Sequence, residues 1–482
     1  MLRPISSETE LDQLSVDAGI IRIRPRAALL AQSEADVSEV LIREAAMGES
    51  VTARGGGTSI PSQSVGRGTI LLQEGGRDIS LGEDVVHCPP ATIKADLNRS
   101  LAEVGMWMPV DPSSYASCTV GGMVANNSSG IRRPKYGSTI DYVRDIRVVV
   151  PGDEATMVTS MTVEEALAGD RRTKKVASLI LENQESIRAE VPKVTKNSSG
   201  YRLERVIHDG QFDYPRLLVG SEGTLGVFTR VGFSVLPRPK WKALFIVESS
   251  LEELDEVAGA FRVHSPAALE LVDKSVFRTM NRWDRISRFS RSESPFMVFC
   301  ELDGAEGDGS AQVAEVARSE AGGYDPLVIS SASEIAMAWE ARNETLTLAQ
   351  EIRKETKTLV PGVEDLVVPP DRLGDLVRLL MDQFERRGLE YISYGHAGDA
   401  NLHARPLLDI SEPGGRRVLD ELMEDCFEEV WKMGGSMTGE HGDGMLRAKF
   451  VERQYPKTFW IMREIKDIYD PKGILNPGVK LP

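Results

Sequence analysis

Histidine is scarce in this chain of 482 residues, which has six, and its four cysteines, Cys88, Cys118, Cys300 and Cys426, are scattered. No Cys-x-x-Cys pair occurs, so neither a thiolate zinc site nor an iron–sulfur cluster has a ligand set. Any electrons handled here must leave through another molecule. Long apolar runs are missing too: nothing approaches the roughly 18 apolar residues of a membrane span, and the opening MLRPISSETELDQL has no apolar core of signal-peptide length. A cytoplasmic protein without a transmembrane segment is expected, with peripheral membrane docking left open. Basic charge is short as well. The 57 Lys and Arg against 73 Asp and Glu give a formal charge of −16, which argues against nucleic acid as a partner. An anionic substrate would need a local arginine cluster.

What is present is the composition of a folded globular protein: 41% hydrophobic and 27% charged residues, with Leu, Ile and Val spread along the chain. Its length predicts two or three domains. Residues 22–238 are Gly-rich, with short apolar runs such as IRVVV (146–150) stopped by Pro151, Gly152 and Asp153, which reads as strands and turns. LPRPK (236–240) favours an extended connector. Beyond it, ALFIVES (243–249) predicts a strand, and Ser250 and Glu253 have capping-box spacing ahead of a helix. PFMVFCELDG (295–304) and YDPLVISS (324–331) predict strands around a helix at 310–320. The expected class is α+β, with a ferredoxin-like α+β unit over 239–455 and a C-terminal tail over 456–482. No repeat of 20 to 50 residues occurs.

Three glycine-rich stretches suggest ligand contact. In ARGGGTS (53–59) consecutive glycines can turn successive N–H groups inward, and two hydroxyls follow, which suits a pyrophosphate; a tight surface turn is the bland alternative. SCTVGGMVANNSSG (117–130) has few apolar side chains to bury. GSEGTLGVFT (220–229) mimics a dinucleotide fingerprint but continues as strand-like residues, so a Rossmann site is not expected.

Three of the six histidines fall in two Gly/Asp-rich segments, YGHAGDANLHARP (394–406) and TGEHGDGMLRA (438–448). His396 and His403 are seven apart, a spacing that points to opposite faces of one continuous strand. A bend at 397–400 would let them converge. With Glu440 they make a ligand set suited to zinc or manganese, with open positions for substrate. The competing reading is hydrogen-bonded structural histidines. Arg405, two residues past His403, is expected on the same side of its strand.

ARGGGTS, PVDPSS (109–114), TVGGMVANNSSG, KYGSTIDYVRDIRVVV (135–150), LVGSEGTLGVFT and ILNPG (474–478) together resemble the two-subdomain FAD-binding fold of vanillyl-alcohol oxidase relatives. The similarity is to their glycolate oxidase subunit and D-lactate dehydrogenase branch, in order along nearly the whole chain. The resemblance implies an FAD-binding domain over 22–238 and non-covalent FAD. Arg54, Gly55, Gly56, Gly57, Thr58 and Ser59 would line its pyrophosphate, and Pro112 and Ser113 would lie along the flavin. Thr119, Gly121, Gly122 and Asn126 would wrap the dinucleotide, and Glu222, Gly223, Gly226 and Val227 would hold the adenine and ribose side. Asn476 would return the tail to the isoalloxazine. His87 and Cys118 do not stand where this branch carries a covalent anchor.

The resemblance further implies that GHxGDxNLH and GEHGDG build a metal-assisted site, with His396, His403 and Glu440 as ligands of zinc or manganese. His441 would take the proton of a 2-hydroxy acid as general base while the Cα hydride passes to flavin N5. Arg342, in WEARNETL, matches a substrate-carboxylate arginine of the wider family; Arg405 and Asn401 are assigned to the substrate with it. D-lactate or glycolate is the expected substrate. Relatives acting on D-2-hydroxyglutarate carry a lysine where Val363 stands and an asparagine where Arg405 stands, and Ala400 replaces the more usual glycine of GDGN. A separate acceptor is expected: an iron–sulfur protein, an electron-transfer flavoprotein, a quinone or a cytochrome. Two other readings are a non-redox alkyl transferase on the same fold, which would be expected to carry a run of histidines, and an accessory FAD subunit, which would lack the metal ligands.

Overall fold

The computed structural model describes all residues except Met1, Arg77, Met280, Ile352 and Glu355, and describes side chains outside 279–280 and 346–355. Among the described residues, a four-stranded sheet runs in the order Arg3–Ile5, Ala27–Ala31, Thr69–Gln73, Val51–Ala53. Arg3–Ile5 lies antiparallel to Ala27–Ala31, and Ala27–Ala31 and Val51–Ala53 both lie parallel to Thr69–Gln73. A seven-stranded sheet centres on Val143–Val149 and Val227–Ser234, which are antiparallel. These two strands are the IRVVV and GVFTRV runs, and Pro151 and Gly152 follow the first as its stop signal. The chain end comes back to the first sheet: Leu475 bridges Val51 in parallel.

A nine-stranded sheet carries the second half of the chain. Its first strands run in the order Leu327–Ile329, Trp241–Ser249, Phe296–Gly304, Ala268–Asp273, with helices Leu254–Arg262 and Ser310–Arg318 in the crossovers. That order is the ferredoxin-like plait. The strand Ala268–Asp273 (ALELVD) is absent from the pattern expected above, because Glu270 breaks its apolar run; the glutamate is fully buried here. Ser250 and Glu253 do bond to each other, but the helix starts only at Leu254, one residue beyond that pair. The sheet continues into a hairpin, Tyr391–His396 and Asn401–Leu408, backed by helices Leu373–Glu385 and Pro413–Lys432. Among the described residues no helix is long and apolar enough to cross a membrane.

Candidate active site

The hairpin decides how the two histidines meet. Its register pairs Tyr394 with His403 and His396 with Asn401. Paired residues share a face, so His396 and His403 are diagonal neighbours on one side of the sheet. Residues 397–400 form the turn, and Ala400 takes a left-handed φ of 49°. The result is two Nε2 atoms 3.2 Å apart. Glu440 Oε1 completes the triangle at 3.1 Å from His396 Nε2 and 3.2 Å from His403 Nε2. Bonds of about 2.0–2.1 Å to a tetrahedral zinc set ligand–ligand edges of roughly 3.3 Å. The donor set therefore fits a divalent metal without rearrangement.

The far sides of both rings are fixed. His396 Nδ1 bonds Glu270 Oε1 at 2.6 Å, and His403 Nδ1 bonds the Glu364 carbonyl at 2.6 Å. Holding Nδ1 in this way leaves Nε2 of each ring for a metal. Burial works against charging His396, yet the Glu270 carboxylate outweighs it and the pKa is pushed up to about 9. Burial pulls His403 down. Burial also opposes ionisation of Glu440, but Lys196 and His396 hold its pKa well below the usual carboxylate range.

His441 lies beside this triangle, with Nε2 3.8 Å from Glu440 Oε1 and Nδ1 3.3 Å from Glu364 Oε1. Glu364 is buried, and Arg447, at 2.6 Å, and His441 keep it ionised despite that burial. Asp365 falls with His403, Glu440 and His441 in a group whose donor atoms lie within 4.8 Å of one another. His396 is the better third ligand. The Asp365 carboxylate already accepts from the backbone N–H groups of Glu440 and His441, the Thr438 hydroxyl and the Asn401 amide. It braces the GEHGDG loop.

Arg405 pairs with Ile392 and shares the His403 face. Its Nε is buried without a partner among the described residues, and so is that of Arg342. Arg342 also ion-pairs with Glu270 Oε2, so one carboxylate joins this arginine to His396. The Tyr394 ring lies 5.8 Å from the Arg342 guanidinium and 5.3 Å from the His403 ring. Asn401 needs correction. Its amide donates to Asp365 and to the Leu366 carbonyl and accepts from Lys196, and the residue is fully buried, so it has no N–H left for a substrate.

A cavity lined by parts of all three glycine-rich stretches adjoins this centre. Its walls include Arg54, Gly55, Gly56, Gly57, Thr58, Ser59, Thr119, Gly121, Gly122, Asn126, Glu222, Gly223 and Gly226. The backbone N–H groups of 55–59 meet no protein acceptor among the described residues, which suits an anion nest. A Cβ on Gly56 would sit 2.2 Å from the Ser117 carbonyl oxygen, so only glycine lets this loop lie against 117–119. The residues present fit a dinucleotide.

Four expected contacts are not on that wall. Ser114, not Pro112 or Ser113, lines the cavity. The Val227 side chain packs into the apolar cluster with Leu29, Val51 and Leu475. Asn476 staples the tail instead of facing the cavity: its amide donates to the Gln63 and Glu222 carbonyls and accepts from Thr52. Two wall residues turn their charges away. The Arg54 guanidinium donates to the carbonyls of Leu14, Val16 and Ser64. The Glu222 carboxylate accepts from the N–H groups of Asp443 and Gly444 and pairs with Lys480 at 2.9 Å. His87 is held by Asp145 at 2.9 Å. Cys118 lines the cavity, where burial pushes its thiol pKa up.

Lys196, Ser129, Glu270, Glu364, Asp365 and Lys480 escape the sequence reading as site residues. One signal was available for two of them: the tetrapeptide NSSG occurs at 127–130 and again at 197–200, directly after Lys196. Of the others, Glu270 sits on a strand, Glu364 and Asp365 in a turn and Lys480 in the tail.

Two family descriptions match: "FAD linked oxidases, C-terminal domain" over residues 242–479 and "FAD binding domain" over 25–159. The chain is 30% identical to a D-lactate dehydrogenase of Archaeoglobus fulgidus over 89% of this chain and 85% of that protein. It is 25% identical to glycolate oxidase subunit GlcD of Bacillus subtilis over 94% and 88%. It is 28% identical to a D-2-hydroxyglutarate dehydrogenase of Pseudomonas putida over 96% of this chain but only 49% of that protein, so it spans about half the length of that relative. In fold it is similar to an alkyldihydroxyacetonephosphate synthase structure, with a TM-score of 0.68 and 15% identity, covering 99% of this chain and 82% of the other. That likeness bears out the expected vanillyl-alcohol oxidase type of fold. With both domains matched in order, and a relative at 30% identity aligned over most of both proteins, the chain belongs to the FAD-linked oxidase family.

Proposed function

We propose that this protein is an FAD- and metal-dependent dehydrogenase that oxidises D-lactate or glycolate to the 2-oxo acid. One observation carries the reading: His396 Nε2, His403 Nε2 and Glu440 Oε1 stand 3.1–3.2 Å from one another, next to buried Arg342 and half-buried Arg405, whose Nε–H groups have no partner among the described residues. FAD, held along 54–59 and by Thr119, Gly121, Gly122 and Asn126, would supply the hydride acceptor, and zinc or manganese held by those three residues would supply Lewis acidity. Arg405 and Arg342 would grip the substrate carboxylate, since a guanidinium suits planar carboxylate recognition. Glu364 takes the Nδ1 side of His441, which leaves Nε2 to receive the hydroxyl proton. The reduced protein would pass its electrons to a separate acceptor: an iron–sulfur protein, an electron-transfer flavoprotein, a quinone or a cytochrome.

A second reading is a D-2-hydroxy diacid such as D-2-hydroxyglutarate. It is favoured by two arginines whose Nε has no partner among the described residues, enough for two carboxylates. Anaerobic mixing of the FAD-loaded protein with D-lactate, L-lactate, glycolate and D-2-hydroxyglutarate, before and after chelation, separates the readings. Flavin bleaching by D-lactate or glycolate that stops on chelation is expected. Bleaching by the diacid alone selects the second reading, and bleaching that survives chelation removes the metal from both.

A further inference from the structure

Lys196 is a buried cation that the proposed chemistry has not used. Its side chain is 1% exposed, and Nζ lies 2.6 Å from Glu440 Oε2 and 2.9 Å from Asn401 Oδ1. It cannot swing away. The segment around it is laced to the segment that carries Glu440: Lys193 N donates to the Gly434 carbonyl, Ser198 N to the Thr438 carbonyl and the Ser198 hydroxyl to the Gly439 carbonyl. Gly200 N donates to Asp443.

The two oxygens of Glu440 are thereby divided. Oε2 receives Lys196 and the Ser129 hydroxyl, at 2.9 Å. Oε1 is left to the imidazoles of His396, His403 and His441. A carboxylate without such a restraint can bind a metal through either oxygen or both, which would close positions that a substrate needs. Resting on the metal reading above, we infer that Lys196 is a positioning residue of this centre: it holds Oε2 of Glu440 so that the carboxylate ligates through Oε1 alone. Asn401, the first residue of the second hairpin strand and paired with His396, sets where the ammonium stands.

The test reads metal binding separately from turnover. Zinc affinity is measured by chelator competition, and the coordination shell by the d–d absorption of the Co(II)-loaded protein, for wild type, Lys196→Met and Lys196→Arg, each with its FAD stoichiometry. Lys196→Met is expected to bind zinc about 10- to 100-fold more weakly and to shift the Co(II) spectrum, with Lys196→Arg restoring both in part. If Lys196→Met does not retain FAD, Ser129→Ala carries the test: it frees the same oxygen of one donor and should shift the Co(II) spectrum. A variant set with wild-type or tighter zinc binding and an unchanged spectrum overturns the inference. A wild-type protein that takes up neither zinc nor cobalt overturns the metal reading itself.

Discussion

The dinucleotide cavity and the histidine–glutamate centre are neighbours made of opposite materials. The cavity offers backbone: N–H groups at 55–59, glycines packed against 117–119, and hydroxyls. Its two charged wall residues, Arg54 and Glu222, aim their charges elsewhere. The centre offers side chains. Three imidazoles, the carboxylates of Glu270, Glu364 and Glu440, and the cations Lys196, Arg342 and Arg447 cluster in a largely buried space, and each charge answers another. Uncompensated burial of any one would cost several kcal/mol. The cavity should therefore be sensitive to added atoms, and the centre to removed charge. The segment 126–133 links the two: Asn126 and Ser128 face the cavity, Ser129 touches Glu440 and Arg133 pairs with Asp399 behind the hairpin turn.

This contrast can be broken by substitution. The largest effect is expected from His403→Ala, which should reduce metal content to background by elemental analysis and abolish hydroxy-acid reduction while FAD stays bound. Loss of FAD in that variant would mean that the two regions are not separable. His441→Asn should keep metal and FAD but slow flavin reduction by about 10²- to 10⁴-fold, the usual contribution of a general base; stopped-flow bleaching reads this directly. Arg405→Ala should raise KM roughly ten- to hundredfold, matching the 1.5–3 kcal/mol of a charged hydrogen bond, with kcat less affected. An unchanged KM would return Arg405 to a structural role.

On the cavity side, Gly57→Ala puts a Cβ 2.4 Å from the Arg54 guanidinium at a φ of +66°. Left-handed alanine costs about 1–2 kcal/mol of folding stability, and a loop displaced to relieve that strain should bind FAD more weakly by flavin fluorescence, with metal content unchanged. The smallest effect concerns the turn that aims the histidines. Ala400 sits at φ 49°, and Ala400→Gly should raise stability by up to about 1 kcal/mol after glycine's own entropic cost, read as a higher denaturation midpoint. A drop would show that the Ala400 methyl, fully buried, matters more through packing than through backbone strain.

Local chemistry was enough for the sequence to announce the glycine loop at 55–57, the strand Val227–Ser234 that rules out a Rossmann turn, and the hairpin bend at 397–400. Each depends on residues adjacent in the chain, where backbone freedom and alternation act directly. The partners were not legible in that way. Glu270 lies 126 residues from His396, Lys196 is 205 residues from Asn401, and Arg447 is 83 from Glu364. The same holds for the roles that changed: Asn401, Asn476 and the Glu222 carboxylate carry polar groups that suit a ligand, and only packing gave them protein partners instead. Composition and motif spacing thus determined which residue types were available for flavin and metal chemistry. Tertiary structure decided which of those groups remain unpaired, because a buried polar atom takes whichever partner the fold brings within hydrogen-bond distance.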